Sequence, residues 1–192
     1  PRLDYQLLFT SPLTWSIVVL SIVAVLHISS VFLTWYSREA GDAPASDLMR
    51  KYALIWSGPL VIAVIGIMIE FRVHNLLRFG KMIDIWWLFA ISAVLFLVTV
   101  LLVWKKRNYG VAVILLISQY AFAFFAYGIS HYPYILYPYL TVHSGFTSVE
   151  MAIALIFSFA LGACLLIPSL YLLFKLFLFN KEYVTGVQDD HV

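Results

Sequence analysis

The sequence predicts an all-α polytopic membrane protein with about five transmembrane helices, a four-helix bundle plus one peripheral helix. Three observations lead there. Five long apolar runs fill the 192 residues, and short charged or polar loops separate them. Hydrophobic residues make up 63% of the chain and charged residues only 11%, with a mean hydropathy of +0.94, a balance foreign to soluble domains of this size. Crossing a hydrocarbon core takes about 20 helical residues, at about 1.5 Å each through about 30 Å, and every run is long enough. One membrane-embedded unit over residues 1–192 is expected, with no second domain outside the membrane.

The first span is expected over about 12–36. Ser11 stands as N-cap and Pro12 at the first helical position, while Trp15 and Trp35 are spaced by about 30 Å of helix, one ring for each interface. A polar loop from Ser37 to Ser46 follows, with Gly41 and Pro44 as breakers. The second span, about 47–70, opens on Asp47 as N-cap and carries Gly58-Pro59, which is expected to kink it. The third, about 84–104, lies between Trp86-Trp87 and Trp104 and stops at Lys105-Lys106-Arg107. The fourth, about 109–132, ends where Tyr132-Pro133-Tyr134 and Tyr137-Pro138-Tyr139 interrupt it. Thr147 and Glu150 have capping-box spacing and open the fifth, about 148–179. The stretch from Arg72 to Lys81 reads as an outer loop or interfacial turn.

Basic residues orient the spans. Arg2, Arg72, Arg78 and Lys81 fall on one side; Arg38, Arg50, Lys51, Lys105, Lys106, Arg107, Lys175 and Lys181 fall on the other, four against eight. The positive-inside rule then puts the C-terminus in the cytoplasm. With the net charge of +2 gathered at span ends, the chain is not a nucleic-acid binder. Cys164, the single cysteine, excludes an internal disulfide and is expected to be a small packing residue. A chain beginning at Pro1 rather than Met is expected to be part of a longer one.

Ionisable groups at membrane depth are the first place to look for chemistry. Of these, only His27 lies well inside a span; Glu70, Asp84, Glu150 and Lys175 are near span ends. His27, Ser92 and Gln119 share a depth of about 10 to 12 residues from the basic side, with Ser29 and Ser30 close by. They form either an interhelical hydrogen-bond cluster or the lining of a wet path, and helix association commonly uses such residues. A haem held by this chain alone is not expected, because Met68 lies about 27 Å along its span from the basic side and His27 about 15 Å. Ala154, Ser158 and Gly162, four apart, form a small-residue packing stripe. Phe122, Phe124, Phe125, Phe157 and Phe159 read as lipid-facing or packing surface. The Gly58-Pro59 interruption has no counterpart in another span, which disfavours a transporter built from matched broken helices.

The run Phe125-Ala126-Tyr127-Gly128-Ile129-Ser130-His131-Tyr132-Pro133-Tyr134-Ile135-Leu136-Tyr137-Pro138, followed by Leu140-Thr141-Val142 and a capped last helix, resembles subunit II of the cytochrome bd quinol oxidases. The resemblance covers the chain and matches the second half of that subunit. It implies a non-haem-carrying membrane subunit that packs against a haem-bearing subunit I, and possession of no cofactor or catalytic residue of its own. Haem b and haem d would belong to that partner, and quinol would be the substrate of the complex, which reduces oxygen to water in the bacterial cytoplasmic membrane. A small single-span subunit is a further partner to expect. The alternatives are a fragment of a secondary transporter and a structural or assembly membrane protein.

Overall fold

A computed structural model of the chain describes residues 9–74, 76–136, 140–142 and 148–177. Five of its helices are long and apolar enough to cross a membrane. In chain order the elements are α1 (Pro12–Glu39), α2 (Ala43–His74), α3 (Leu76–Asp84), α4 (Trp86–Trp104), α5 (Tyr109–His131), β1 (Tyr134–Leu136), β2 (Leu140–Thr141) and α6 (Val149–Phe177). The chain divides into two compact units between His131 and Tyr132.

In the first unit α1 packs along α2 and α4 along α5. Contacts of α1 with α5 and of α2 with α4 close the four into a bundle, and α3 lies against α2 and α5. The core is built from Val31, Ala53, Val103, Ala112 and Leu116, with Leu54, Leu102, Val113 and Tyr120 packed around it. Many buried positions are small or hydroxylated, among them Ala53, Ala63, Ala112, Ala126, Thr34 and Thr99, while Ile, Leu, Phe and Trp crowd the outside. Lipid is as apolar as leucine, so backbone proximity and interhelical hydrogen bonds, rather than escape from water, select the inner residues.

The turn between α1 and α2 is shorter than the ten-residue loop expected. Helix α1 continues to Glu39, beyond residue 36, and three residues reverse the chain. Gly41 adopts φ 81°, its N–H donates to Arg38 O (3.2 Å), and Asp42 N donates to Ser37 O (3.0 Å), the paired bonds of a Schellman stop. Asp42 then caps the next helix, its Oδ1 accepting from Ala45 N at 3.0 Å. Pro44 therefore begins α2 instead of breaking anything, because the first N–H groups of a helix have no intrahelical partner to lose. Asp47, read as the N-cap, sits inside α2 and pairs with Lys106 (2.8 Å) and Arg50 (3.4 Å). Across the same turn the buried Ser46 hydroxyl donates to Thr34 O at 2.9 Å, tying α2 to α1.

The link from α4 to α5 repeats the device with a different residue. Lys106 N donates to Val103 O (3.3 Å) and Arg107 N to Leu102 O (3.0 Å), and Lys106 carries the left-handed φ of 54°. Asn108, at φ 47°, then starts α5 as its carbonyl accepts from Ala112 N (3.1 Å). At the other end of the bundle the expected loop before the third span contains the nine-residue helix α3, which buries Met82. Asp84 closes α3, so the third span opens at Trp86. Its N-cap position, Ile85, makes no side-chain cap bond. Ser11 stands at the N-cap position of α1 as expected, yet its hydroxyl makes no cap bond there either.

Both α2 and α6 run unbroken through an interior proline, Pro59 in one and Pro168 in the other. Pro168 in α6 is thus a counterpart to Gly58-Pro59, contrary to the expectation of none, but neither helix is discontinuous. The second unit holds the hairpin and α6. The Tyr132–Pro133 bond is cis, β1 and β2 pair antiparallel, and Val142 N donates to Pro133 O at 2.8 Å. This hairpin is the departure from an all-helical chain: Pro133 cannot continue α5 and the following residues extend. Helix α6 starts after Ser148, whose Oγ accepts from Met151 N at 3.2 Å. Thr147, the expected cap, and residues 178–179, the expected end of the fifth span, lie outside the described residues.

Candidate functional site

The polar groups of the bundle interior converge where α1, α4 and α5 meet. His27 on α1 is 1% exposed and Gln119 on α5 is 4% exposed, and both fall in stretches otherwise apolar. The close approach of α1 and α5 fixes their relative depth. An added Cβ on Gly110 would lie 3.4 Å from the Trp35 indole nitrogen, so these two residues are level near one end of the bundle. From there, eight residues back along α1 reach His27, about 12 Å away, and nine forward along α5 reach Gln119, about 13.5 Å away. The two side chains thus occupy one layer. Tyr120, next to Gln119, directs its hydroxyl toward Ala24 O on α1 at 3.5 Å.

Helix α4 closes this layer with two residues one turn apart. The Phe96 ring lies 5.6 Å from the His27 ring, centroid to centroid, and the Ser92 hydroxyl donates to Gln119 O at 2.9 Å. Ser92 therefore reaches the Gln119 backbone rather than its amide. In this layer His27 Nδ1 and Gln119 Oε1 have no hydrogen-bond partner among the described residues. One turn further along α1, Ser30 returns its hydroxyl to Leu26 O at 2.6 Å, and Thr34 donates to Ser30 O at 2.7 Å. These hydroxyls satisfy themselves on their own helix, a common habit of Ser and Thr in helices. Phe96, Tyr120 and Thr34 were not anticipated from the sequence. Phe and Tyr are frequent throughout the spans, and no periodicity marks those that face inward.

A second aromatic cluster lies at the far end of α5. Buried Phe71 meets Tyr127 at 6.3 Å, and Tyr127 meets His131 at 4.2 Å. The His131 Nδ1 is 2.9 Å from Tyr127 O, and the Ser130 hydroxyl donates to the same carbonyl at 2.6 Å. These are local helix-end contacts. His131 is about 18 Å along α5 from Gln119, so it shares no layer with His27. Met68 is partly exposed, and among the described residues no group of three His, Cys, Asp or Glu could hold a metal ion. The His27 ring packs against Phe96 inside the bundle, and neither Met68 nor His131 shares its layer, so these residues are not brought together as a pair of axial ligands.

Helix α6 carries Ala154, Ser158 and Gly162 on exposed positions, and an added Cβ on Gly162 would meet nothing within 4 Å. Phe124, Phe125, Phe157 and Phe159 are also exposed, Phe122 less so. Cys164 is exposed on α6.

Comparison with known proteins gives a consistent result. The family model for cytochrome bd terminal oxidase subunit II matches residues 3–177. A Bacillus subtilis (strain 168) protein, provisionally named cytochrome bd menaquinol oxidase subunit II, is 30% identical over 192 residues, an alignment covering 95% of this chain and 55% of that protein. A solved bd oxidase structure from Geobacillus thermodenitrificans superposes with a TM-score of 0.80 at 54% identity, covering 94% of this chain and 55% of the matched chain. The chain thus spans about half the length of the relatives it matches.

Proposed function

The chain belongs to the cytochrome bd terminal oxidase subunit II family, and we propose that it serves as a non-haem-carrying membrane subunit of a quinol:oxygen oxidoreductase. The observation that carries this reading is the family match over residues 3–177, and the structural likeness to a bd oxidase at 54% identity supports it. In the reaction, two quinols give up four electrons to one oxygen molecule and release four protons as they become quinones, while four protons taken up from the cytoplasm complete two waters. This chain's residues do none of that chemistry. Haem b and haem d belong to a partner, subunit I, and supply the electron transfer and oxygen reduction.

The contribution of this chain is to pack against that partner and hold it in place within the membrane. Its surface suits such a role: large apolar side chains cover the outside of the bundle and of α6, where lipid or another apolar subunit surface can meet them. Ala154, Ser158 and Gly162 would let a neighbouring helix approach α6 closely. The buried layer of His27, Ser92 and Gln119 holds three helices in register rather than carrying out a reaction step. Both basic turns belong on the cytoplasmic side, and the Lys106–Asp47 ion pair supports this by joining the α4–α5 turn to the start of α2.

The test is a gentle detergent purification of the tagged parent polypeptide from its native membrane, followed by a reduced-minus-oxidised visible spectrum. Bands of b- and d-type haem together with a second multi-span polypeptide are expected. A stable, colourless eluate would overturn the reading.

A further inference from the structure

We propose that the layer between α1, α4 and α5 is a binding site for one structural water molecule, held jointly by His27 Nδ1 and Gln119 Oε1. The two atoms are buried, level with each other on neighbouring helices, and both lack a hydrogen-bond partner among the described residues. Burying one unsatisfied polar atom is costly, and burying two in the same layer at mid-membrane is costlier, since lipid offers no substitute donor. Natural cores answer such a pair with a trapped water making two to four hydrogen bonds.

The chemistry of the two groups selects water. An amide oxygen can only accept, so its partner must bring a proton. An imidazole nitrogen donates or accepts according to tautomer, and water matches either state while still donating to the amide. The neighbouring polar groups are committed elsewhere: Ser92 donates to Gln119 O, and Ser30 and Thr34 donate to carbonyls of α1. Phe96 covers the His27 ring from α4, which separates this site from the lipid on that side. The water then acts as a hydrogen-bonded tie between α1 and α5 in the middle of the bundle, beside the long contact from the Tyr120 hydroxyl to Ala24 O.

Two measurements on the intact oxidase complex test this. The first is a density map at a resolution that shows buried waters. A peak within hydrogen-bonding distance of both His27 Nδ1 and Gln119 Oε1 is expected. No peak, or the two side chains bonded directly to one another, would overturn the proposal. The second is thermal melting of His27→Phe, Gln119→Leu and the double variant. Each single change strands the water and one buried partner, so the double variant should lower the melting temperature by clearly less than the sum of the two. Strictly additive losses would overturn it as well. The map decides the question even if a single variant fails to assemble.

Discussion

Two residues at equivalent places in the fold show how local backbone geometry sets stability. Gly41 and Lys106 both end a helix in the left-handed region, at φ 81° and 54°, and both sit in the same pair of closing hydrogen bonds. Only at Gly41 does the residue suit the conformation. A side chain in this region costs roughly 1–2 kcal/mol. Gly41→Ala should therefore lower the melting temperature of the protein by an amount equivalent to about 1 kcal/mol. Lys106→Gly should raise it, because the exposed ion pair it gives up with Asp47 contributes little. Thermal unfolding of the two variants side by side checks both signs. The sequence made Gly41 legible as a breaker, but its polar neighbours spread the apparent loop over ten residues. At a membrane surface polar side chains meet water while their backbone is still helical, so polarity overstates loop length. Lys106 was legible only as charge, since nothing in Lys105-Lys106-Arg107 distinguishes the residue that turns.

At the scale of the helices, position along the span was far more legible than facing. Hydropathy marked each spanning helix among the described residues, and the tryptophans and basic steps set most of their boundaries to within a few residues. It could not say which side of a helix faces in, because these spans are apolar all round. The discriminating signal is size: Ala112 is fully buried while Ile114 and Ile117 on the same helix face outward. Ala112→Leu should consequently cost about 1–3 kcal/mol through overpacking. Ile114→Ala should leave melting unchanged, and the comparison within α5 is the check. Helix α3 escaped notice for a related reason. Arg78 and Lys81 resemble a solvated turn in the sequence, whereas a short helix at an interface can bury Met82 and leave Lys81 outside. The candidate layer was legible as depth alone: counting residues put His27, Ser92 and Gln119 level, but Ser92 proved to reach a backbone carbonyl, and Phe96 was invisible in the count.

For the molecule as a whole, the arrangement of charge is the most informative property. The Lys106–Asp47 contact brings the α4–α5 turn beside the start of α2, so Arg38, Arg50, Lys51, Lys105, Lys106 and Arg107 gather at one end of the bundle. With this end in the cytoplasm, Arg107→Cys introduced into a Cys164→Ser background should react with a membrane-impermeant maleimide in inverted vesicles. It should stay unlabelled in intact spheroplasts, and the opposite pattern would reverse the orientation. The three-residue turn from Ala40 to Asp42 has a further consequence, for biosynthesis. A link so short gives α1 and α2 no freedom to enter the bilayer separately, because the second helix begins almost as soon as the first has ended. The two should therefore enter the bilayer as one hairpin, with the Ser46-to-Thr34 hydrogen bond closing between near neighbours in sequence.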